Sequence, residues 1–188
     1  MKFFRRIQYN APFTLTFALL SLATLFLGML TNGASTTKLF CVYRSSLTDP
    51  FTYLRAFLHV LGHSGWEHYL NNMLLLLVLG PQLEEKYGSR DLTLAVVVTA
   101  FITGLAQWLF FPGTGVLGAS GIVFMMILMA SMGGMKSGRS PLTLILVAIL
   151  YIGNEVTTAL TAADNISQLS HIIGGACGAV FGFLLARR

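Results

Sequence analysis

A serine and a histidine in separate apolar segments are the two residues of this chain best suited to covalent catalysis. Ser120 lies in the run Gly118-Ala119-Ser120-Gly121, and His171 lies in a later run that carries no charge. Serine becomes a nucleophile when a neighbouring base takes its proton, and histidine is the most common such base. Serine is also an ordinary packing residue of membrane helices, where its hydroxyl bonds to its own backbone. Taken alone, Ser120 fits both interpretations.

A second polar pair has the composition of an anion-binding site. His68 and Asn72 are four residues apart, so they share one face of a predicted helix. Both side chains donate hydrogen bonds, which is what the negative oxygen of an acyl-transfer intermediate requires. The free N–H groups at the start of the helix that contains Ser120 would add to the same site.

The histidines also allow a metal site, which we consider as an alternative. His59, His63 and His68 could together supply three ligands. However, the chain has no His-Glu-x-x-His motif and no acidic or cysteine ligand at a useful spacing. We therefore predict that no metal or other cofactor is bound. We also predict that His59 and His63 are packing residues in a loop or at the membrane interface.

The composition indicates that lipid surrounds most of the chain. Of its 188 residues, 55% are hydrophobic and only 10% are charged, whereas soluble domains carry about 25% charged residues. The apolar runs predict an all-α membrane protein, a compact bundle of six transmembrane helices that forms a single domain over residues 1–188. The predicted spans are 11–30, 66–84, 92–111, 118–135, 141–160 and 168–186.

The basic residues predict the orientation of these spans. With six crossings both termini lie on one side, and that side collects most of the Lys and Arg residues, so the positive-inside rule makes it cytoplasmic. Ser120, His171, His68 and Asn72 then lie near the outer ends of their spans, and the site opens to the extracytoplasmic side of the cell membrane. The basic residues are not clustered, which excludes a nucleic-acid partner. The residues assigned to the inner side are Lys2, Arg5, Arg6, Lys86, Arg90, Lys136, Arg139, Arg187 and Arg188.

Several further positions have structural interpretations. We expect part of segment 31–65 to lie against the membrane interface, with Arg55 reaching lipid headgroups. Cys41 and Cys177 should lie at different depths and form no disulfide. Glu84 lies at the end of a predicted helix, where the dipole opposes a carboxylate, so a partner for it is expected. We interpret this end, which stops at Gly88, as a solvated cap with a structural and not a catalytic role.

Glu155, in the predicted fifth span, should face the bundle or an outer water-filled vestibule. Its partner is not defined by the sequence.

In combination, these motifs resemble the rhomboid family of intramembrane serine proteases. The similarity extends over about residues 51–186, and the motifs stand in the family's order on the expected spans. The matching pieces are His63-x4-His68-x3-Asn72, Glu84-x3-Gly88-Ser89, Gly118-Ala119-Ser120-Gly121 and His171-x2-Gly174-x3-Gly178.

The resemblance implies a Ser–His dyad without a third acid. Ser120 would be the nucleophile and His171 the general base, while His68, Asn72 and the Ser120 N–H would bind the oxyanion. Gly118 would shape the loop before the nucleophile, and Gly121, Gly174 and Gly178 would support the site. Segment 31–65 resembles the family's first loop, and the fifth span resembles its lateral gate. The chain departs from the family at Phe124, where many members have a tyrosine that stacks on the catalytic histidine.

The expected function is therefore that of an intramembrane serine endopeptidase. Its partners would be transmembrane protein substrates and the lipid bilayer, and the sequence does not indicate an oligomeric state. The family's substrates have weak or unwound helix near the cut and a small residue before it. Two alternatives are a rhomboid-like pseudoprotease, which binds membrane clients without cleaving them, and a small membrane transporter.

Overall fold

The computed structural model describes residues 8–133 and 166–186, with a few isolated positions between 142 and 153. Most of the predicted fifth span, including Glu155, and the basic residues at both termini lie outside the described residues. The described part contains seven α-helices: α1 (Pro12–Leu30), α2 (Ala34–Leu39), α3 (Pro50–Leu58), α4 (Trp66–Tyr87), α5 (Ser89–Phe110), α6 (Ser120–Gly133) and α7 (Ile166–Ala186).

The described helices agree with the prediction of a helical membrane protein. Three segments are long and apolar enough to cross a membrane, namely Pro12–Leu30, Ser89–Phe110 and Gln168–Leu185. Helices α4 and α6 occupy the positions of the predicted second and fourth spans but are not among these three. In α4 the polar residues His68, Asn71 and Asn72 interrupt the apolar sequence.

Local sequence signals explain where several helices begin and end. Helices α1 and α3 each start with a proline, whose fixed φ suits the first helical position. The Asp49 side chain accepts the N–H of Phe51 at 3.0 Å and so caps α3. Gly88 separates α4 from α5 with a φ of 82°, a conformation that favours glycine.

The core centres on α6, whose residues are buried on nearly all sides. Ile122, Val123 and Met125 are fully buried, and they pack in one cluster with Leu76 of α4 and Leu92 of α5. A helix that is apolar all round must be surrounded by other elements of the protein. The first residue of α6, Ser120, is therefore fixed by packing from several helices.

Segment 31–65 folds into local structure that the sequence pattern did not specify. It contains α2, α3, a 3₁₀ turn at His59–Leu61 and strand β1, Val42–Tyr43. Strand β1 pairs antiparallel with β2, Gly115–Val116. This short ladder ties the segment to the loop that leads into α6.

The prediction that Arg55 reaches lipid headgroups is wrong. Its side chain is buried and forms an ion pair with Asp49 at 2.8 Å, in addition to hydrogen bonds to the Lys38 carbonyl and the Ser45 hydroxyl. The hydrogen bond from Arg55 also lowers the pKa of the Asp49 carboxyl below its usual value. Because the segment folds around the guanidinium, Arg55 organises the segment from inside.

Glu84 has the partners and the structural role expected for it, but the interpretation of its helix end as solvated is wrong. Glu84 is buried and accepts the N–H groups of Phe13 and Thr14 at 2.7 and 3.0 Å. It also accepts the hydroxyls of Thr14 at 2.8 Å and Ser89 at 2.6 Å. The carboxylate thus satisfies the free N–H groups at the start of α1, where the helix dipole favours a negative charge.

The two cysteines are not joined by a disulfide in the structure. Cys41 and Cys177 are both free thiols. Burial raises the pKa of the Cys41 thiol, so the uncharged form is favoured.

Candidate active site

The structure brings Ser120 and His171 into direct contact. The Nε2 atom of His171 lies 2.8 Å from the Oγ atom of Ser120, which is hydrogen-bonding distance. Ser120 is the first residue of α6 and His171 lies in the second turn of α7. The two side chains come from helices separated by the longest undescribed part of the chain, so tertiary packing alone creates the pair.

Glycines allow the backbones of α6 and α7 to touch at this point. A Cβ atom added to Gly174 would overlap the carbonyl oxygen of Gly121, and one added to Gly178 would overlap the carbonyl oxygen of Met125. Gly121 in turn has the Ser170 carbonyl oxygen 3.2 Å from the position of its own missing Cβ. Small residues permit such close helix packing in membranes, and here the contact holds His171 against Ser120.

His68 and Asn72 face the residues that precede the nucleophile. Gly118 adopts a φ of 121°, a backbone angle that residues with a side chain rarely adopt. A Cβ atom at this position would lie only 2.6 Å from His68 Nε2 and 3.8 Å from Asn72 Nδ2. The missing side chain of Gly118 therefore leaves room directly in front of both donors. One N–H of Asn72 donates to the His68 carbonyl at 2.9 Å.

The hydrogen bonds of His68 define which of its ring nitrogens donates. The backbone N–H of Ser64 donates to His68 Nδ1 at 3.5 Å, and the Ser64 hydroxyl lies 3.1 Å from the same atom. An Nδ1 atom that accepts a backbone N–H carries no proton, so the neutral ring has its proton on Nε2. That Nε2–H faces Gly118, next to the start of α6.

Phe124 lies against the histidine of the pair. Its ring stacks on the His171 imidazole with a centroid distance of 4.5 Å and an interplanar angle of 19°. The ring position expected for the family's tyrosine is thus filled by a phenyl group without a hydroxyl. Stacking restrains the plane of the imidazole, and so the direction of Nε2.

His59 is buried beside the site, where it has a role that the sequence did not predict. Its carbonyl accepts the Gly118 N–H at 2.9 Å, and its Nδ1 lies 3.2 Å from the Arg55 carbonyl. Nε2 lies 3.3 Å from the Thr103 hydroxyl. Burial lowers the pKa of His59 to about 4, so the ring is neutral at pH 7. No local spacing reveals the contacts with Gly118 and Thr103, since they join segment 31–65 to the loop before α6 and to α5.

His63 lies in the loop between the His59–Leu61 turn and α4 and is buried there, as expected for a packing residue. Its ring packs edge-on against His68 at a centroid distance of 5.0 Å, and Nδ1 lies 3.1 Å from the Leu61 carbonyl. Burial, and next the neighbouring His68, lower the pKa of His63 to about 4. Among the described residues, no three His, Cys, Asp or Glu side chains are arranged to hold a metal ion.

A small cavity of about 30 Å³ lies beside Ser120. It is lined by His59, Thr103, Gly118, Ser120 and Ser170, among others. The cavity has room for a water molecule or a small side chain, and both polar and apolar atoms line it.

A family model described as the Rhomboid domain matches residues 50–188, which is most of the chain. The chain belongs to the rhomboid family. One curated rhomboid relative is RHOMBOID-like protein 4 of Arabidopsis thaliana, which is 30% identical over 135 residues. The alignment covers 67% of this chain and 32% of the relative, so this rhomboid chain matches about a third of that protein's length. All the residues that meet around Ser120 lie inside the range matched by the rhomboid model.

Proposed function

We propose that this rhomboid chain is an intramembrane serine endopeptidase in which Ser120 and His171 form the catalytic dyad. The observation that carries the proposal is the 2.8 Å contact between Ser120 Oγ and His171 Nε2. A nucleophile and base at this distance are the core of covalent acyl-transfer catalysis. The stacked Phe124 and the backbone contact between α6 and α7 hold His171 Nε2 next to Ser120 Oγ.

The proposed reaction begins when Ser120 Oγ attacks the carbonyl carbon of the scissile peptide. The hydroxyl proton passes to His171 Nε2, and the carbonyl oxygen becomes negative. His68 Nε2–H, Asn72 and the backbone N–H of Ser120 stabilise that oxygen, the last because it lies at the free N-terminus of α6. His171 then returns the proton to the departing amine, leaving an acyl-enzyme. Water attacks this ester with His171 again as base, which releases the acid and restores Ser120.

The proposed architecture is a compact six-helix bundle in the cell membrane with both termini in the cytoplasm. The described helices α1, α4, α5, α6 and α7 would be five of its spans, and residues 141–160 the other. The site would open towards the extracytoplasmic side, from which water reaches it. The positive-inside pattern of the Lys and Arg residues supports this orientation.

The proposed substrates are transmembrane segments of other membrane proteins. A peptide bond in a regular helix is shielded, so the segment must be extended or unwound where Ser120 attacks. The cavity beside Ser120 has a volume of only about 30 Å³, which favours a small side chain next to the scissile bond.

The alternative function is that of a pseudoprotease, which binds membrane clients without cleaving them. The comparisons are compatible with it, since the Arabidopsis relative is itself named only as rhomboid-like. The presence of both Ser120 and His171 in contact favours the protease. No described observation favours a transporter over either of these.

Labelling with a fluorescent fluorophosphonate tests the proposal directly. Wild-type protein in detergent should be labelled, whereas the Ser120→Ala and His171→Ala variants should not. Ser131→Ala is a matched control, because Ser131 lies on the same helix but bonds to its own backbone at Ile127. Absence of label on folded wild-type protein would refute the assignment and favour the pseudoprotease. Label that persists in Ser120→Ala would also refute the assignment, because another residue would then be the nucleophile.

A further inference from the structure

A second, larger cavity lies between α3 and α5, away from the Ser120–His171 pair. We call it the α3–α5 cavity; its volume is about 230 Å³. It exists because Gly104 lets the backbone of α3 approach α5 near Ala56, while larger side chains hold the helices apart on either side. Lining residues include Leu47, Ala56, Phe57, Phe101, Leu105 and Trp108.

The walls of this cavity offer almost nothing to a polar occupant. The Trp108 indole N–H donates to the Ser45 carbonyl at 3.2 Å, and the Thr52 hydroxyl donates to the Ser46 carbonyl at 2.8 Å. The Tyr53 hydroxyl, which also lines the cavity, donates to the Leu47 carbonyl at 3.0 Å. All three polar groups of the lining side chains are thus already engaged within the protein. Water in a cavity needs several polar partners, whereas apolar cavities of this size take apolar ligands. The lining therefore selects a hydrocarbon.

The cavity opens towards the apolar outer surface of the protein. Four of its lining residues are about half exposed, namely Tyr53, Phe57, Phe101 and Leu105. They continue into exposed residues of α5, one of the three helices apolar enough to cross a membrane. A lipid chain could therefore enter sideways from the bilayer.

A cation stands at the rim of the cavity. The guanidinium carbon of Arg44 lies 5.2 Å from the centre of the Trp108 ring, and the Arg44 side chain is exposed. In the described part of the chain the ion pair formed is Arg55 with Asp49, so Arg44 has no described carboxylate partner. Arginine stacked on an aromatic ring keeps its N–H groups free for a phosphate.

We propose that the α3–α5 cavity binds an anionic phospholipid, with an acyl chain between the two helices and the phosphate on Arg44. The apolar lining and the cation at its rim match the two parts of one lipid molecule. This site would fix segment 31–65 against α5 from the lipid side. The proposal requires only that the chain lies in a membrane, so it stands or falls independently of peptide hydrolysis.

Fluorescence quenching by brominated lipids tests the proposal, because Trp108 lines the cavity. The chain has two tryptophans, so the measurement uses the full-length Trp66→Phe protein in phosphatidylcholine vesicles. A small mole fraction of brominated phosphatidylglycerol is compared with the same fraction of brominated phosphatidylcholine. One arginine near a membrane surface corresponds to a roughly fivefold preference for the anionic lipid.

Three variants separate the two halves of the proposed site. Arg44→Gln should abolish the preference for phosphatidylglycerol. Ala56→Leu should fill the cavity and reduce quenching by both lipids. Arg90→Gln is the matched control, since Arg90 is also an exposed arginine but lies at the end of α5 opposite to Trp108, and it should leave the preference unchanged.

If Ala56→Leu fails to fold, the lipid preference of Arg44→Gln still tests the proposal, because Arg44 is exposed and its substitution does not disturb the core. Equal quenching by the two lipids in the unaltered site would overturn the proposal. So would a preference that survives in Arg44→Gln, or quenching that is unchanged in folded Ala56→Leu. Protection of Trp108 from both lipids, with cross-linked dimers, would show instead that a second copy of the chain covers the cavity.

Discussion

The two ends of this molecule bury polar groups in opposite ways. At Glu84, one carboxylate accepts four hydrogen bonds from the start of α1 and from Ser89. At Ser120, the hydroxyl meets the imidazole of His171, and the glycine-lined space in front of Gly118 stays open to the donors His68 and Asn72. The first site is saturated, whereas the second holds donors directed at a space that a substrate atom could occupy.

The difference shows which polar groups inside a membrane protein serve the fold and which can serve a reaction. A fully satisfied buried group rigidifies the fold and has no remaining capacity to bind a ligand. A preorganised group with spare donors can stabilise charge that develops during a reaction. Substitutions at the two sites should therefore separate stability from activity.

The largest effect is expected for Ser120→Ala. The change should reduce cleavage of a transmembrane substrate by roughly 10⁴-fold or more, because it removes the hydroxyl that lies 2.8 Å from the imidazole. The thermal midpoint should stay close to that of the wild type, since only one oxygen is removed. Cleavage in proteoliposomes and thermal unfolding in detergent measure the two quantities. A large loss of stability with activity retained would place Ser120 with Glu84 as a structural residue.

Gly174→Ala should be strongly destabilising. The added Cβ overlaps the Gly121 carbonyl oxygen, so α7 must move away from α6, at a cost of about 3 kcal/mol. Gly175→Ala is the control, because its Cβ would meet Leu128 at an ordinary distance of 3.8 Å. Unfolding in mixed micelles should separate the two variants. Equal stabilities would mean that the backbone contact is not tight.

Protonation of His59 should destabilise the protein as the pH falls. Its pKa is about 4 in the folded state and 6.5 unperturbed, so the unfolded chain binds the proton more readily between these values. The contribution of the neutral His59 ring to the free energy of unfolding is fully present above pH 6.5. It declines as the pH falls towards 4, by about 3 kcal/mol in total.

The His59→Asn variant provides the comparison for this titration. Asparagine keeps a donor for the Arg55 carbonyl but does not titrate in this range. The difference in unfolding free energy between wild type and variant should therefore change between pH 6.5 and 4. A constant difference over that range would show that His59 is not buried as a neutral ring.

Glu84→Gln should lower stability by about 2 kcal/mol, because the amide loses the charge and part of the acceptor capacity that serve the start of α1. Glu85→Gln is the matched control on the adjacent, exposed position. Catalytic rate per folded molecule should be nearly unchanged in both variants. A selective loss of rate in Glu84→Gln would contradict the division between the two sites.

The smallest effect is expected for Phe124→Tyr. The ring should still stack on His171, so cleavage should stay within roughly tenfold of the wild type, equivalent to less than about 1.4 kcal/mol. Phe124→Ala removes the ring and should reduce cleavage further. If Phe124→Ala retains the full rate, stacking does not orient the imidazole.

Local sequence patterns predicted much of the fold. Apolar runs located α1, α5 and α7, and Gly88 marked the end of α4, because each signal depends only on neighbouring residues. The pairing of β1 with β2 could not be predicted, since two-residue strands far apart in the chain have no periodicity to detect. Arg55 was misassigned for a related reason: its partners in segment 31–65 become close only when that segment folds.

The sequence by itself determined the membrane-protein class, the family motifs and the residue types able to perform acyl transfer. Tertiary structure decided which of these residues meet, with Ser120 2.8 Å from His171 and His59 anchoring Gly118. It also decided that Glu84 caps α1 and that a cavity separates α3 from α5. The physical reason is that residue type and spacing fix chemistry and helix faces locally, whereas contacts between distant segments depend on how the helices pack against one another.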